Sequence, residues 1–139
     1  MRTSFLPGAA LAALLAAATA APASGQQLTE EDFRSGTAGD LADLCGPAET
    51  DPMRGAGIGW CHGFLLAAGQ YHATMAAAGT RRHPLFCLPE PTPSFDQVRG
   101  AFVAWVRANP QHANDRALDG LMRFAAATYP CAPQQRPRR

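Results

Sequence analysis

The chain has 139 residues, 47% of them hydrophobic, with 12 basic residues against 11 acids. That length holds one domain with a modest core and excludes a multidomain enzyme. The near balance of charge, with no lysine at all, argues against a nucleic-acid binder, which would carry a basic stripe on its folded part.

Residues 1–23 read as a secretory signal peptide. Arg2 is a thin positive start, and Phe5 to Ala18 is an Ala/Leu-rich run broken only by Pro7 and Gly8. Small residues follow, so cleavage is expected after Ala20 or Ala23, with Gly25 a third position. The run is shorter than the roughly 20 residues a membrane-spanning helix needs, so no stable membrane insertion is expected. No cysteine follows it to carry a lipid. Alanine richness without lysine is the composition of a GC-rich bacterial genome, and export from such a cell leads to the periplasm. Residues 28–132 are expected to form a helical domain, and residues 133–139 a disordered basic tail of Pro, Gln and Arg. The body without that tail carries 8 arginines against 11 acids and is mildly acidic.

The punctuation along the domain is helical. Thr29-Glu30-Glu31-Asp32 resembles a short capped turn. Thr37, with Asp40 three residues on, opens a helix through Leu41, Leu44 and Cys45 that Gly46-Pro47 ends. Asp51-Pro52 suits the start of the next helix, Asp as the cap and Pro at the first position, although Gly55, Gly57 and Gly59 blur it. From Trp60 the spacing puts Trp60, Phe64, Ala67/Ala68, Tyr71, Met75 and Ala78 on one face, with Gly79 as terminator. A proline-rich loop spans residues 80–93.

Ser94, with Gln97 three residues later, opens a third helix expected to bury Phe95, Val98, Phe102, Trp105 and Val106. Asn109-Pro110 ends it and is placed to cap a fourth, which turns Ala117, Leu118, Leu121, Phe124, Ala125 and Thr128 inward before Pro130. No alternating strand pattern occurs. The expected fold is all-α: a small disulfide-stapled bundle of about four helices.

The cysteines Cys45, Cys61, Cys87 and Cys131 lie at the edges of these helices, and an even number in a small exported chain reads as a disulfide framework. In an up-and-down bundle Cys45 and Cys61 share one end, Cys87 and Cys131 the other. Of the three connectivities, 45–61 with 87–131 needs the least distortion. A four-cysteine zinc site would want a C-x-x-C pair, which is missing, and export disfavours it.

Enzyme chemistry finds little footing. Cys61-His62 pairs a nucleophile type with a base type, but helical neighbours diverge by about 100° and an oxidising compartment would consume the thiol. His62 and His72 are nearly three turns apart, too far to share a metal. His83 and His112 fall in loops. Glu30, Glu31 and Asp32 fit the charge preference of a helix start. Gly59 and Gly63, spaced as small-xxx-small, suggest close helix packing, and Trp60, Phe102 and Trp105 read as core. No catalytic, cofactor or metal residues are assigned.

Five pieces occur in order: Cys61-His62-Gly63-Phe64, Phe86-Cys87-Leu88-Pro89, Phe95-Asp96-Gln97-Val98, Asn109-Pro110 and Tyr129-Pro130-Cys131. Together they resemble the Tai/Rap family, the type VI secretion amidase immunity proteins also called resistance-associated proteins. The departures are Asn109 for the usual His before Pro, Tyr129 for Phe, and Phe64 for Tyr. The resemblance implies a periplasmic, helical, disulfide-bonded protein, often a homodimer, that binds and blocks a cell-wall amidase effector without catalysing anything. In such proteins a loop joining the last two major helices enters the amidase cleft. That implies a partner-binding set here of Gln111, His112, Asn114, Asp115 and Arg116. The competing class is a periplasmic acid or stress chaperone, or a housekeeping helical protein with no toxin partner.

Overall fold

The computed structural model describes residues 27–77 and 83–132. The expected signal peptide, the basic tail, and Ala78 and Gly79 lie outside the described residues. The chain runs through a short 3-10 turn at Asp32–Arg34, then α1 (Ala38–Cys45), α2 (Arg54–Ala76), α3 (Phe95–Ala108), a second 3-10 turn at Pro110–His112, and α4 (Ala117–Thr128). Among the described residues there is no strand, only a single antiparallel bridge between Thr37 and Arg116.

Short-range hydrogen bonding explains where two helices begin. Thr37 Oγ1 accepts the Asp40 N–H at 3.2 Å while Asp40 Oδ2 accepts the Thr37 N–H at 2.9 Å. Ser94 and Gln97 repeat the arrangement at the start of α3. Each box satisfies donors that a helix start otherwise leaves bare, and each is worth about 1 kcal/mol. At the first turn there is no such box: Asp32 Oδ2 accepts both the Thr29 N–H at 2.6 Å and the Thr29 hydroxyl at 2.9 Å.

The eight-residue α1 is the hub of the fold and packs against each of the other three helices. Ala38, Leu41, Leu44 and Cys45 are fully buried. Around it lie Leu65 from α2, Phe102 and Val106 from α3, and Leu121, Phe124 and Ala125 from α4. Phe102 and Phe124 meet edge to face at 5.5 Å, the favoured aromatic geometry. Arg99 Nη1 donates to the Cys45 carbonyl at 2.6 Å, so a cation from α3 closes the C-terminal end of α1.

The sulfurs pair Cys45 with Cys61 and Cys87 with Cys131. The first pair, 16 residues apart, links the end of α1 to α2 inside the core. The second, 44 residues apart, ties the segment before α3 to the chain after α4. Loop-closure entropy makes these worth about 3 and about 4 kcal/mol, large terms for a core this small.

The second helix departs most from expectation. It begins at Arg54 and runs straight through Gly55, Gly57 and Gly59. Asp51 does not cap it. Its buried carboxylate accepts the Leu28 N–H through Oδ2 and the Met53 N–H through Oδ1, both at 2.7 Å, and so bolts the N-terminal segment to the turn before α2. The inward face is Gly57, Cys61, Leu65 and Ala68. Trp60 and Phe64 sit on the flank, stacked at 5.3 Å, and Tyr71 is 62% exposed. The link from Cys61 to buried Cys45 sets the rotation of a helix that is apolar on several sides.

Other inward assignments also fail. Phe95, Leu118 and Thr128 are exposed, and Asn109 ends α3 as expected but does not cap α4. Its Nδ2 donates back to the Trp105 carbonyl, and α4 starts eight residues later, at Ala117 behind Arg116. Gly59 and Gly63 face open space and permit no close packing. The tightest approaches are instead at Gly57, where a Cβ would come within 2.6 Å of Leu28, and Gly120, where it would collide with the Ala38 methyl.

Candidate functional site

The loop from α3 to α4 is held by backbone rather than left free. The Ala38 N–H donates to the Asp115 carbonyl at 2.9 Å and the Gly39 N–H to the Ala113 carbonyl at 2.8 Å. The Ala117 N–H donates to the Gly36 carbonyl at 3.2 Å. The first two N–H groups of a helix have no partner of their own, and here loop carbonyls supply them. Gly39 allows the approach, since a Cβ there would lie 3.3 Å from the Ala113 oxygen.

Within the loop, the five side chains expected at a partner surface divide into two groups. His112 and Asp115 are half-buried. The His112 ring stacks on Trp105 with centroids 5.5 Å apart, and its Nδ1 lies 2.9 Å from Asp115 Oδ2. The same carboxylate oxygen is 3.0 Å from Arg123 Nε on α4. These two residues hold the loop's shape. Gln111, Asn114 and Arg116 are exposed and turn outward. Arg116 Nε donates to Asp119 Oδ2 at 2.7 Å, which holds the arginine extended over the start of α4 and raises its pKa above the usual value.

A second feature is an apolar groove of about 750 Å³ between α2, the segment before α3, and α4. Leu66, Phe86, Leu88, Phe95 and Met122 shape its walls. His72 is one of its polar residues, beside Gln70, Thr92 and Ser94: Nε2 accepts the Leu85 N–H at 3.0 Å and the ring stacks on Phe86 at 3.9 Å. The Cys87 N–H donates to the Tyr129 carbonyl at 2.8 Å beside the second disulfide. A smaller hollow of about 460 Å³ adjoins it around Tyr71, Leu85 and Leu118. Sequence reasoning missed this face because it turned Phe95 and Leu118 inward. The available signal was the pair Leu85 and Leu88, two large apolar residues in a proline-rich loop.

The enzyme-like pair dissolves on inspection. Cys61 is buried in a disulfide and has no thiol to offer. His62 Nε2 is screened from solvent and lies 3.5 Å from Asp96 Oδ1 without hydrogen-bond geometry. Arg99 Nε donates to the same oxygen at 2.7 Å, and chiefly for that reason the Asp96 carboxyl titrates below the ordinary carboxylate value. No cluster of three potential metal ligands occurs among the described residues. No helix there is long and apolar enough to cross a membrane.

The fold and its two bridges define a small all-α, disulfide-stapled protein. More particularly, the chain belongs to the Rap1a immunity protein family, whose model matches residues 37–131. The match runs from the residue that caps α1 to the last cysteine of the second disulfide. No curated protein and no solved structure matches the chain.

Proposed function

We propose that this chain is an exported, non-enzymatic immunity protein that binds a peptidoglycan amidase effector in the periplasm and blocks its cleft. The signal-like residues 1–23 and the two disulfides support export to an oxidising compartment. The observation that carries the reading, beside family membership, is the clamped loop. Backbone bonds from α1 hold residues 113–117 in place while Gln111, Asn114 and Arg116 face solvent. A loop ordered before binding loses little entropy on docking, which is what a tight cleft-filling inhibitor requires. The mature protein should inhibit an amidase encoded beside it, and loss of inhibition on replacing Gln111, Asn114 and Arg116 with alanine tests the surface.

The apolar groove favours a second reading, a chaperone-like protein that holds unfolded clients. Exposed Leu66, Leu88 and Phe95 at its rim are the kind of surface such a protein uses. Suppression of client aggregation at low pH, with no binding to an amidase near neutral pH, would select it.

A further inference from the structure

The two disulfides differ in what surrounds them. Cys45 and Cys61 are fully buried members of the hydrophobic core. Cys87 is exposed and Cys131 half-buried, and neither belongs to that core. Thiol–disulfide exchange requires a thiolate to reach a sulfur, so access governs the rate. A buried bridge waits for the core to open, whereas a surface bridge does not.

Position gives the exposed bridge a consequence. The segment before α3 forms one wall of the apolar groove through Phe86 and Leu88, and Cys87 lies between them. Cys131 anchors that wall to the end of α4. Ties on the wall besides the disulfide include the Leu85 N–H to His72 Nε2, the Cys87 N–H to the Tyr129 carbonyl, the Phe86–His72 stack and the packing of Phe86 against the core. Such a hydrogen bond shifts an open–closed balance only about fivefold.

We propose that Cys87–Cys131 is a redox-labile clip on the groove, while Cys45–Cys61 is a permanent staple. An external dithiol reductant attacks one sulfur of the clip as a thiolate and expels the other. Its second thiol then resolves the mixed disulfide. Two electrons and two protons pass to Cys87 and Cys131, and the reductant leaves as its own disulfide. The core stays folded on α1 and the wall of the groove swings free.

The test is limiting dithiothreitol on the native mature protein, with timed alkylation and peptide mass spectrometry. Cys87 and Cys131 should become alkylated at least about a hundredfold faster than Cys45 and Cys61. Amide exchange over residues 84–94 and binding of an apolar dye should rise together, with the helical circular dichroism unchanged. Equal reduction rates, earlier reduction of Cys45–Cys61, or loss of helix in step with the clip would overturn the proposal. Unchanged exchange at 84–94 after selective reduction would overturn it as well. The double replacement Cys87→Ser with Cys131→Ser should bind dye constitutively, and the reduction experiment on unmodified protein stands independently of how well that variant folds.

Discussion

The carbonyl of Asp115 accepts the N–H of Ala38 at 2.9 Å, so the loop before the last helix closes the start of the first. Residues far apart in sequence thereby share one hydrogen-bonded junction, and the buried hub helix dictates the shape of a surface loop. Division of labour within that loop follows directly. Asp115 and His112 hold it, and Gln111, Asn114 and Arg116 stay exposed around them.

Replacing Asp115 with alanine should destabilise the fold by about 1 kcal/mol, because His112 and Arg123 lose their common partner at a half-exposed position. Replacing Gln111 or Asn114 should move stability by less than about 0.5 kcal/mol. Urea unfolding of the three variants checks both statements. Equal costs would mean that the loop is not built as described.

Two glycines of similar appearance in the sequence should behave in opposite ways. Gly120→Ala places a methyl against that of Ala38 and should cost about 1–3 kcal/mol. Gly63→Ala meets nothing on an exposed helical face and should gain up to about 1 kcal/mol. Thermal denaturation should therefore move down for the first and up for the second.

This contrast shows what the sequence could reveal. The helix starts at Thr37 and Ser94 were legible because each rests on a contact between residues three apart. The all-helical class followed from such signals and from the apolar spacing of α3 and α4. The rotation of α2 was not legible, since Trp60, Cys61, Phe64, Leu65 and Leu66 leave no single apolar stripe. A tertiary constraint, Cys61 drawn to buried Cys45, decided it. In the loop, the sequence marked which residues lie between helices. It could not show that carbonyls of Ala113 and Asp115 would be claimed by α1, so it treated five side chains alike.

Acid titration should separate two carboxylates by sign. The Arg99 hydrogen bond holds the Asp96 pKa below its ordinary value. Its contribution is therefore present above the usual unfolded carboxylate range and is lost as pH falls through the depressed folded value. Asp96→Asn should lose stability near neutral pH and converge with the unchanged protein in strong acid. Asp43 is the reverse: it is exposed at the surface, yet partial desolvation, then Asp32 and Asp40, raise its pKa. The folded state then favours the protonated form, so stability is fullest below the unfolded range and falls as pH rises through the raised folded value. Asp43→Asn should match the unchanged protein in acid and exceed it near pH 7. Chemical denaturation across this pH range reads both slopes.

Thr37→Ala should cost more than Ser94→Ala. Both remove a capping box worth about 1 kcal/mol, but the Thr37 box is partly buried while the Ser94 box is exposed to competing water. Paired unfolding curves measure the difference, and inhibition by the Thr37 variant should weaken if the junction orders the loop.

We propose that the clamped loop presents Gln111, Asn114 and Arg116 to an amidase. Calorimetric titration of the mature protein into the amidase encoded beside it, run in parallel with the triple alanine variant, tests this. The expected result is tight stoichiometric binding that inhibits the enzyme, and at least about a hundredfold weaker binding by a variant of unchanged stability. Full affinity in the triple variant would contradict the assigned surface, and no binding by the unchanged protein would contradict the function.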